Sequence, residues 1–223
     1  MENKFTILEN FLPISIQNAL EDLFQHNAKW NYVSKCSGND GFDRNNPNMK
    51  EGPLLTNLAY HVDFNSDGHT ASITDPETLP LTRLVLYFLE SISGCTVTQL
   101  HRIKIRMNLK DTSYKGKYHP PHTDIFDSHE YFTMLYYVRD SDGPTRFFNK
   151  WGTDPNSNED LIETGRVDPK KGRAILFNSN IMHSSTCPQE HENRCSINYI
   201  FKADNLDLHF TPPTNLSVTH CKV

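Results

Sequence analysis

No stretch of the sequence approaches the roughly 20 apolar residues that a bilayer-spanning helix needs. The N-terminus MENKFTILENFLP carries Glu2, Lys4 and Glu9 where a secretory signal would place a basic segment followed by an apolar run. These two absences argue against a membrane-embedded or exported protein, and a cytoplasmic location is expected. Without a signal, the acceptor-like triplet Asn215-Leu216-Ser217 has no consequence. Cys-x-x-Cys spacing is missing too. Cys36, Cys95, Cys187, Cys195 and Cys221 are odd in number and far apart, which excludes a dense disulfide framework and a thiolate zinc site. Nor is there an excess of positive charge: 22 Lys and Arg against 27 Asp and Glu give a net charge of −5, so no broad nucleic-acid-binding surface is expected. The one local basic cluster, Arg166, Lys170, Lys171 and Arg173, is expected to be a solvated loop. Internal repeats, low-complexity tracts and βαβ alternation are all absent, and the last of these disfavours a doubly wound sheet.

What is present fits one domain over residues 1–223, with a helical and loop layer in 1–94, a β core at about 95–202 and a C-terminal extension in 203–223. After a short strand at Phe5 to Leu8, ISIQNALEDLFQH places Ile16, Leu20, Leu23 and Phe24 at helical spacing. TLPLTRLVLYFLESISG repeats the pattern with Leu84, Phe88 and Ile92 before Gly94. Between them SKCSGNDGFDRNNPNMKEGP, residues 34–53, is a long polar loop of the kind that serves as a lid or as mobile surface. From Cys95 the periodicity changes to two. Val97, Gln99, His101, Ile103, Ile105 and Met107 alternate with Thr96, Thr98, Leu100, Arg102, Lys104 and Arg106, leaving one mostly polar face. YFTMLYYV, TRFFN, GRAILF and RCSINYIF follow as strands separated by turn-forming segments such as DSDGP. This succession predicts a sandwich or barrel.

Chemistry enters with HPPHTDIF at residues 119–126. In an extended segment residues i and i+2 share a face, so His122 and Asp124 can reach one metal ion together. With eleven histidines in the chain a single His-x-Asp has little weight, and a second occurs as His61-Val62-Asp63. Downstream residues discriminate. His183 lies 61 positions after His122, and Arg194 opens a strand eleven positions later, sharing a face with Ser196 and with Asn198 beside them. An arginine inside a barrel needs an anionic partner, so a carboxylate ligand is expected there. Starting from His61 instead would require His119 or His129 as distal ligand and Arg139 as anchor, with too few strands before the site. His61 and Asp63 are therefore expected to be structural or substrate-side, His119 a second-layer or entrance residue, and His191 a solvated loop histidine.

The order His122-Thr123-Asp124, His183, Arg194-Cys195-Ser196 resembles the HxD…H…RxS pattern of the iron(II)- and 2-oxoglutarate-dependent dioxygenases, in their prolyl 4-hydroxylase-like branch. Pro121, TMLYYV with Tyr137, DGPTRFF, PKKGRAILF and MHSSTCP resemble successive stretches of that branch over roughly residues 96–202. The resemblance implies a mainly β double-stranded β-helix (jelly-roll) core with N-terminal helices packed on one sheet. It implies iron(II) held by His122, Asp124 and His183, and 2-oxoglutarate held at its far carboxylate by Arg194 with Ser196 and Tyr137. Oxygen is the co-reactant, ascorbate an auxiliary, and succinate and carbon dioxide the products of hydroxylation. A carboxylate at Asp124 favours hydroxylation over halogenation, which leaves that position small. Two departures stand out: the gap from His183 to Arg194 is about one residue longer than usual, and RIKIRMN lacks the tyrosine-glycine of the branch. The favoured prime substrate is a peptidyl proline, with a free amino acid or another small molecule as the alternative. Two other classes compete: a cupin-like metal module without cosubstrate, which has no use for Arg194, and a zinc hydrolase on the same triad, for which no general base is evident.

Overall fold

The computed structural model describes residues 4–35, 46–65, 68–125, 129–151, 161–210 and 217–222. Its chain order is β1 (Lys4–Glu9), α1 (Ile14–Asp22), a widened helical turn (Leu23–Asn27), β2 (Asn31–Val33), β3 (Leu54–Asn65), β4 (Gly68–Ile73) and α2 (Leu79–Ser93). There follow β5 (Thr96–Leu109), β6 (Tyr131–Tyr137), β7 (Thr145–Trp151), β8 (Glu163–Val167), β9 (Ala174–Asn178), β10 (Ile181–Ser185), β11 (Asn193–Asp204) and β12 (Ser217–Lys222). Among the described residues, a large sheet runs β12-β1-β9-β6-β11-β5-β3-β2, with β4 also on β3, and a small sheet runs β10-β7-β8. This is the jelly-roll core that the family resemblance implies, within the sandwich or barrel class that the succession of strands predicts.

The faces of the large sheet explain its layers. Ile103, Ile105 and Met107 of β5 and Ile197, Tyr199 and Phe201 of β11 point outward and pack with Leu20 and Phe24 of the first helical segment and with Val85, Leu86 and Leu89 of α2. Each such side chain, when fully buried, is worth about 1.5–3 kcal/mol. The Tyr199 hydroxyl donates to the Thr82 carbonyl at 2.8 Å, fixing α2 over β11. Gly94 ends α2 in the left-handed region at φ 71, which a residue without Cβ adopts at little cost. The inward faces build a second core between the sheets. Phe5, Leu135, Ile175 and Phe177 come from the large sheet, and Phe147, Val167 and Ile181 from the small one.

Residues 1–94, expected as helices and loop, also supply strands. LLTNLAYHVDFN forms β3, antiparallel to β5. Its alternation is hard to see because the register shifts between Leu58 and Tyr60, so the apolar positions change parity mid-strand. The C-terminal β12 pairs with β1 from Lys4↔Lys222 to Glu9↔Ser217. Half of the loop read as a lid or mobile surface, residues 36–45, lies outside the described residues, and so does Phe126. The near end of that loop is anchored: Tyr118 N–H donates to Asn48 O and Lys50 N–H to Tyr118 O, both at 2.9 Å. The basic cluster departs from the solvated loop expected of it. Lys171 pairs with Glu21 at 2.5 Å and Arg173 with Glu9 at 2.5 Å, so these cations tie the β8–β9 turn to α1 and β1, while Arg166 binds Glu163 at 2.8 Å.

Candidate metal centre

Pro120 and Pro121 hold the segment before His122 extended, because the residue preceding a proline is pushed out of the helical region. His122 N–H then donates to His183 O and His183 N–H to His122 O, both at 2.9 Å. This isolated bridge sets His122 beside His183 on β10. Asp124 N–H donates to Ser179 O at 2.9 Å, turning the chain so that the carboxylate faces the same point. Ligand atoms of His122, Asp124 and His183 all lie within 4.8 Å of one another, and this is the one such group of three found among the described residues.

The donor set has the chemistry of a metal site. His183 Nδ1 lies 3.0 Å from the Ile181 carbonyl, so a hydrogen there leaves Nε2 as the lone-pair donor, 3.6 Å from Asp124 Oδ2. Burial holds the His122 imidazole well below its usual pKa, and burial likewise lowers His183. Both are neutral ligands near neutral pH, and the Arg106 charge pushes each in the same direction. For Asp124 burial alone would raise the pKa. His183, Arg102, His122 and the Asn198 amide outweigh it and hold the carboxyl well below the usual range. Arg102 donates to Oδ1 at 2.9 Å, and the Thr133 hydroxyl and Asn198 amide donate to Oδ2 at 2.9 Å each. Two neutral imidazoles and an ionised, oriented carboxylate fit a divalent first-row metal.

The same cleft contains Arg194, Ser196 and Thr145. Arg194 is 1% exposed. Its guanidinium donates to Ser196 Oγ at 3.1 Å and Thr145 Oγ1 at 2.8 Å, while its buried Nε has no hydrogen-bond partner. Among the described residues no carboxylate lies within ion-pair distance of it. A buried cation with hydroxyl neighbours and an unused donor is a socket for an anion. Tyr137 stands one step behind this socket. Its ring lies 5.3 Å from the guanidinium and its hydroxyl meets Thr145 Oγ1 at 2.6 Å. Burial raises the Tyr137 pKa and keeps the phenol protonated. Gly143 allows this packing, since a Cβ there would come within 2.5 Å of the Thr186 carbonyl and 3.2 Å of Arg194 Cδ.

The structure therefore brings together His122, Asp124, His183, Arg194 and Ser196, with Tyr137 adjoining. The competing triplet stays apart: His61 Nε2 meets Asp63 Oδ1 at 3.0 Å, and its ring lies 5.4 Å from that of His101. His119 is no entrance residue. It is buried between Asn108 and Tyr114, at 3.0 Å from each, and its carbonyl accepts from the Ser184 hydroxyl. His191 is exposed but held, 3.1 Å from Asp142. Arg102, Thr133 and Thr145 are functional neighbours that the sequence reading missed. The signal for Arg102 was available in the polar parity of β5; Thr133 and Thr145 carried none, being ordinary strand residues.

Residues 107–202 match the family model described as the 2OG-Fe(II) oxygenase superfamily. No curated protein matches the chain in sequence. Among solved structures, a non-heme alpha ketoglutarate dependent epimerase from nogalamycin biosynthesis is similar with TM-score 0.56 at 12% identity, over 93% of this chain and 82% of that one. An oxidoreductase of the 2OG-Fe(II) oxygenase family from Burkholderia pseudomallei has TM-score 0.53 at 14% identity, over 85% and 78%. A prolyl hydroxylase from Trichoplax adhaerens, solved with a hypoxia inducible factor peptide fragment, has TM-score 0.50 at 15% identity, over 89% and 83%. These likenesses are of fold.

Proposed function

We propose that the chain works as an iron(II)- and 2-oxoglutarate-dependent oxygenase, in which His122, Asp124 and His183 hold the iron and Arg194, with Ser196 and Thr145, receives the far carboxylate of 2-oxoglutarate. One observation carries this assignment: three metal donors within 4.8 Å of one another share a cleft with a buried arginine. When bound, iron with 2-oxoglutarate and oxygen supplies the oxidising chemistry that hydroxylates a C–H bond and releases succinate and carbon dioxide. The chain's own residues position and insulate. Asp124 stays ionised through Arg102, Thr133 and Asn198, and His183 is oriented by the Ile181 carbonyl. Tyr137, whose hydroxyl meets Thr145 Oγ1 and whose ring faces the Arg194 guanidinium, joins them in holding the cosubstrate. A cupin-like module would leave Arg194 buried without purpose.

The prime substrate we propose is a prolyl residue in a peptide or protein. Its support is the motif similarity of TMLYYV, PKKGRAILF and MHSSTCP, together with the likeness in fold to a prolyl hydroxylase that binds a peptide. A reducing, cytoplasmic setting suits Cys95, Cys187, Cys195 and Cys221, which form no disulfide among the described residues, and no described helix is long and apolar enough to cross a membrane. The test is conversion of 2-oxoglutarate to succinate by protein supplied with iron(II), ascorbate and oxygen. His122→Ala, Asp124→Ala and His183→Ala are each expected to abolish it, and His61→Ala to retain it. Equal loss in a folded His61→Ala protein overturns the choice of triad. Incubation with a proline-rich peptide library, free proline and free amino acids then identifies what gains one oxygen atom; gain by free amino acids alone overturns the peptidyl assignment and leaves the oxygenase intact.

A further inference from the structure

Arg194 is the second residue of β11, and residues 186–192 deliver it from the end of β10. This connection carries the extra length between His183 and Arg194 that sets the chain apart from the family pattern. A longer loop leaves the strand end behind it freer to fray unless something ties it down. One side chain does. Asp142, in the turn between β6 and β7, accepts on Oδ2 from the N–H of Gln189 at 2.9 Å and of Glu190 at 3.1 Å, and on Oδ1 from the N–H of His191 at 3.1 Å. His191 Nδ1 stands 3.1 Å from the same Oδ1. Burial by itself would raise the Asp142 pKa, but the three backbone donors outweigh it and hold the carboxyl at about 2. The bonds are therefore charge-assisted, the stronger kind. The backbone just past β5 holds the same loop, with Asp111 N–H donating to Pro188 O and Lys110 N–H to Glu192 O, both at 2.9 Å.

The turn that carries Asp142 also meets Arg194 directly. Val138 N–H donates to Cys195 O at 3.1 Å, which fixes the start of the turn to β11 beside the arginine. Gly143 packs so closely that a Cβ there would come within 3.2 Å of Thr186 O, Pro188 N and Arg194 Cδ. Thr145, where β7 begins, accepts from the guanidinium at 2.8 Å. One short stretch, residues 138–145, thus fixes the backbone leading into Arg194, its stem and its head. The metal ligands depend on other bonds: His122 and His183 on their mutual backbone bridge, and Asp124 on the Ser179 carbonyl. Loosening the loop is therefore an effect on the anchor and not on the triad.

We infer that Asp142 is a positioning residue for 2-oxoglutarate binding, holding the β10–β11 loop so that Arg194 stands oriented in its socket before the cosubstrate arrives. A cation that is already oriented loses less freedom when it binds its anion, and affinity rises accordingly. The inference rests on the reading of Arg194 as the anchor for the far carboxylate.

Binding of 2-oxoglutarate to protein loaded with manganese(II), measured by calorimetry without oxygen, tests it apart from turnover. Asp142→Ala is expected to weaken binding about tenfold, and Asp142→Asn, which keeps the shape and one acceptor oxygen, about threefold or more, with manganese affinity held within about twofold in both. The same substitutions are then made in Arg194→Ala protein, where the clamp has no cation to place. There they are expected to change the remaining affinity by less than about twofold, since two residues that act as one unit do not add. Unchanged affinity in both single variants overturns the inference. So does an equal loss in the two backgrounds, or a loss of manganese affinity by the same factor, because either one marks a general loosening of the fold. If Asp142→Ala fails to fold, Asp142→Asn decides by the same outcomes. Arg194→Ala alone separates this inference from the reading beneath it. Unchanged 2-oxoglutarate affinity in that variant overturns the anchor assignment and the inference with it, whereas a strong loss there with none in the Asp142 variants overturns the inference alone.

Discussion

A carboxylate sealed inside a protein stays ionised only where neighbours replace the water it has lost. Asp124, with a side chain 2% exposed, has Arg102 on one oxygen and Thr133 and Asn198 on the other. Removing the cation while keeping the bulk, as in Arg102→Met, is expected to weaken metal binding about ten- to hundredfold. Titration with zinc or iron(II) checks this, and unchanged affinity would assign the orientation to Thr133 and Asn198 alone. The anchor behaves independently. A charge-assisted hydrogen bond is worth about 1.5–3 kcal/mol, so Arg194→Ala is expected to raise the KM for 2-oxoglutarate roughly ten- to hundredfold with metal affinity retained, and Arg194→Lys to recover part of the loss. Thr145→Val removes the acceptor of Arg194 and the partner of Tyr137 together, and a smaller rise in the same KM is expected.

At the scale of elements, the turn between β6 and β7 decides whether the anchor has room. A methyl group at Gly143 would meet backbone atoms, Thr186 O at 2.5 Å and Pro188 N at 3.0 Å, as well as Arg194 Cδ at 3.2 Å. Backbone cannot step aside cheaply, so Gly143→Ala is expected to cost about 1–3 kcal/mol of stability and to raise the KM for 2-oxoglutarate by displacing Arg194. Gly94→Ala provides the contrast. Its φ of 71 disfavours a side chain but nothing lies within 4 Å, so stability falls by about 1 kcal/mol and the KM stays as it was. Thermal melts and initial rates on the two variants separate strain at the site from strain alone.

Across the whole molecule, buried neutral histidines make stability depend on pH in a predictable sense. Burial, reinforced by Arg102 and His61, pushes the His101 pKa down to about 4. Burial, reinforced by Arg106 and Arg194, pushes His119 down to about 3. Both are 7% exposed or less. Their unfolded value is about 6.5. Between that value and the folded ones the unfolded chain binds protons that the folded chain refuses, so stability is full above about pH 6.5 and is lost as pH falls toward 4 and then 3. The melting temperature is expected to drop by on the order of 5 °C or more between pH 7.5 and pH 5. A flat profile over that interval would mean these rings are protonated or rehydrated in the folded state.

Local chemistry by itself determined which residues could serve and which faces they would share. Strand periodicity places Arg194, Ser196 and Asn198 on one side of β11 and Arg102, Lys104 and Arg106 on one side of β5, and a His-x-Asp spacing needs only an extended backbone to point both groups one way. These are short-range facts, set by a residue's neighbours in the chain. The joining of His122 to His183, separated by 61 positions, needed the backbone bridge between a loop and β10. The placing of Thr145 beside Arg194 and Tyr137 needed the two sheets to face each other, and β3 became a strand through pairing with β5 across a register shift that hides its alternation. Tertiary structure alone decided that the polar face of β5 turns inward. On an isolated strand a charged face belongs in water. Here the outward face is claimed by the larger hydrophobic gain of packing Ile103, Ile105 and Met107 under α1 and α2, and the cations on the other face are left to line the cleft.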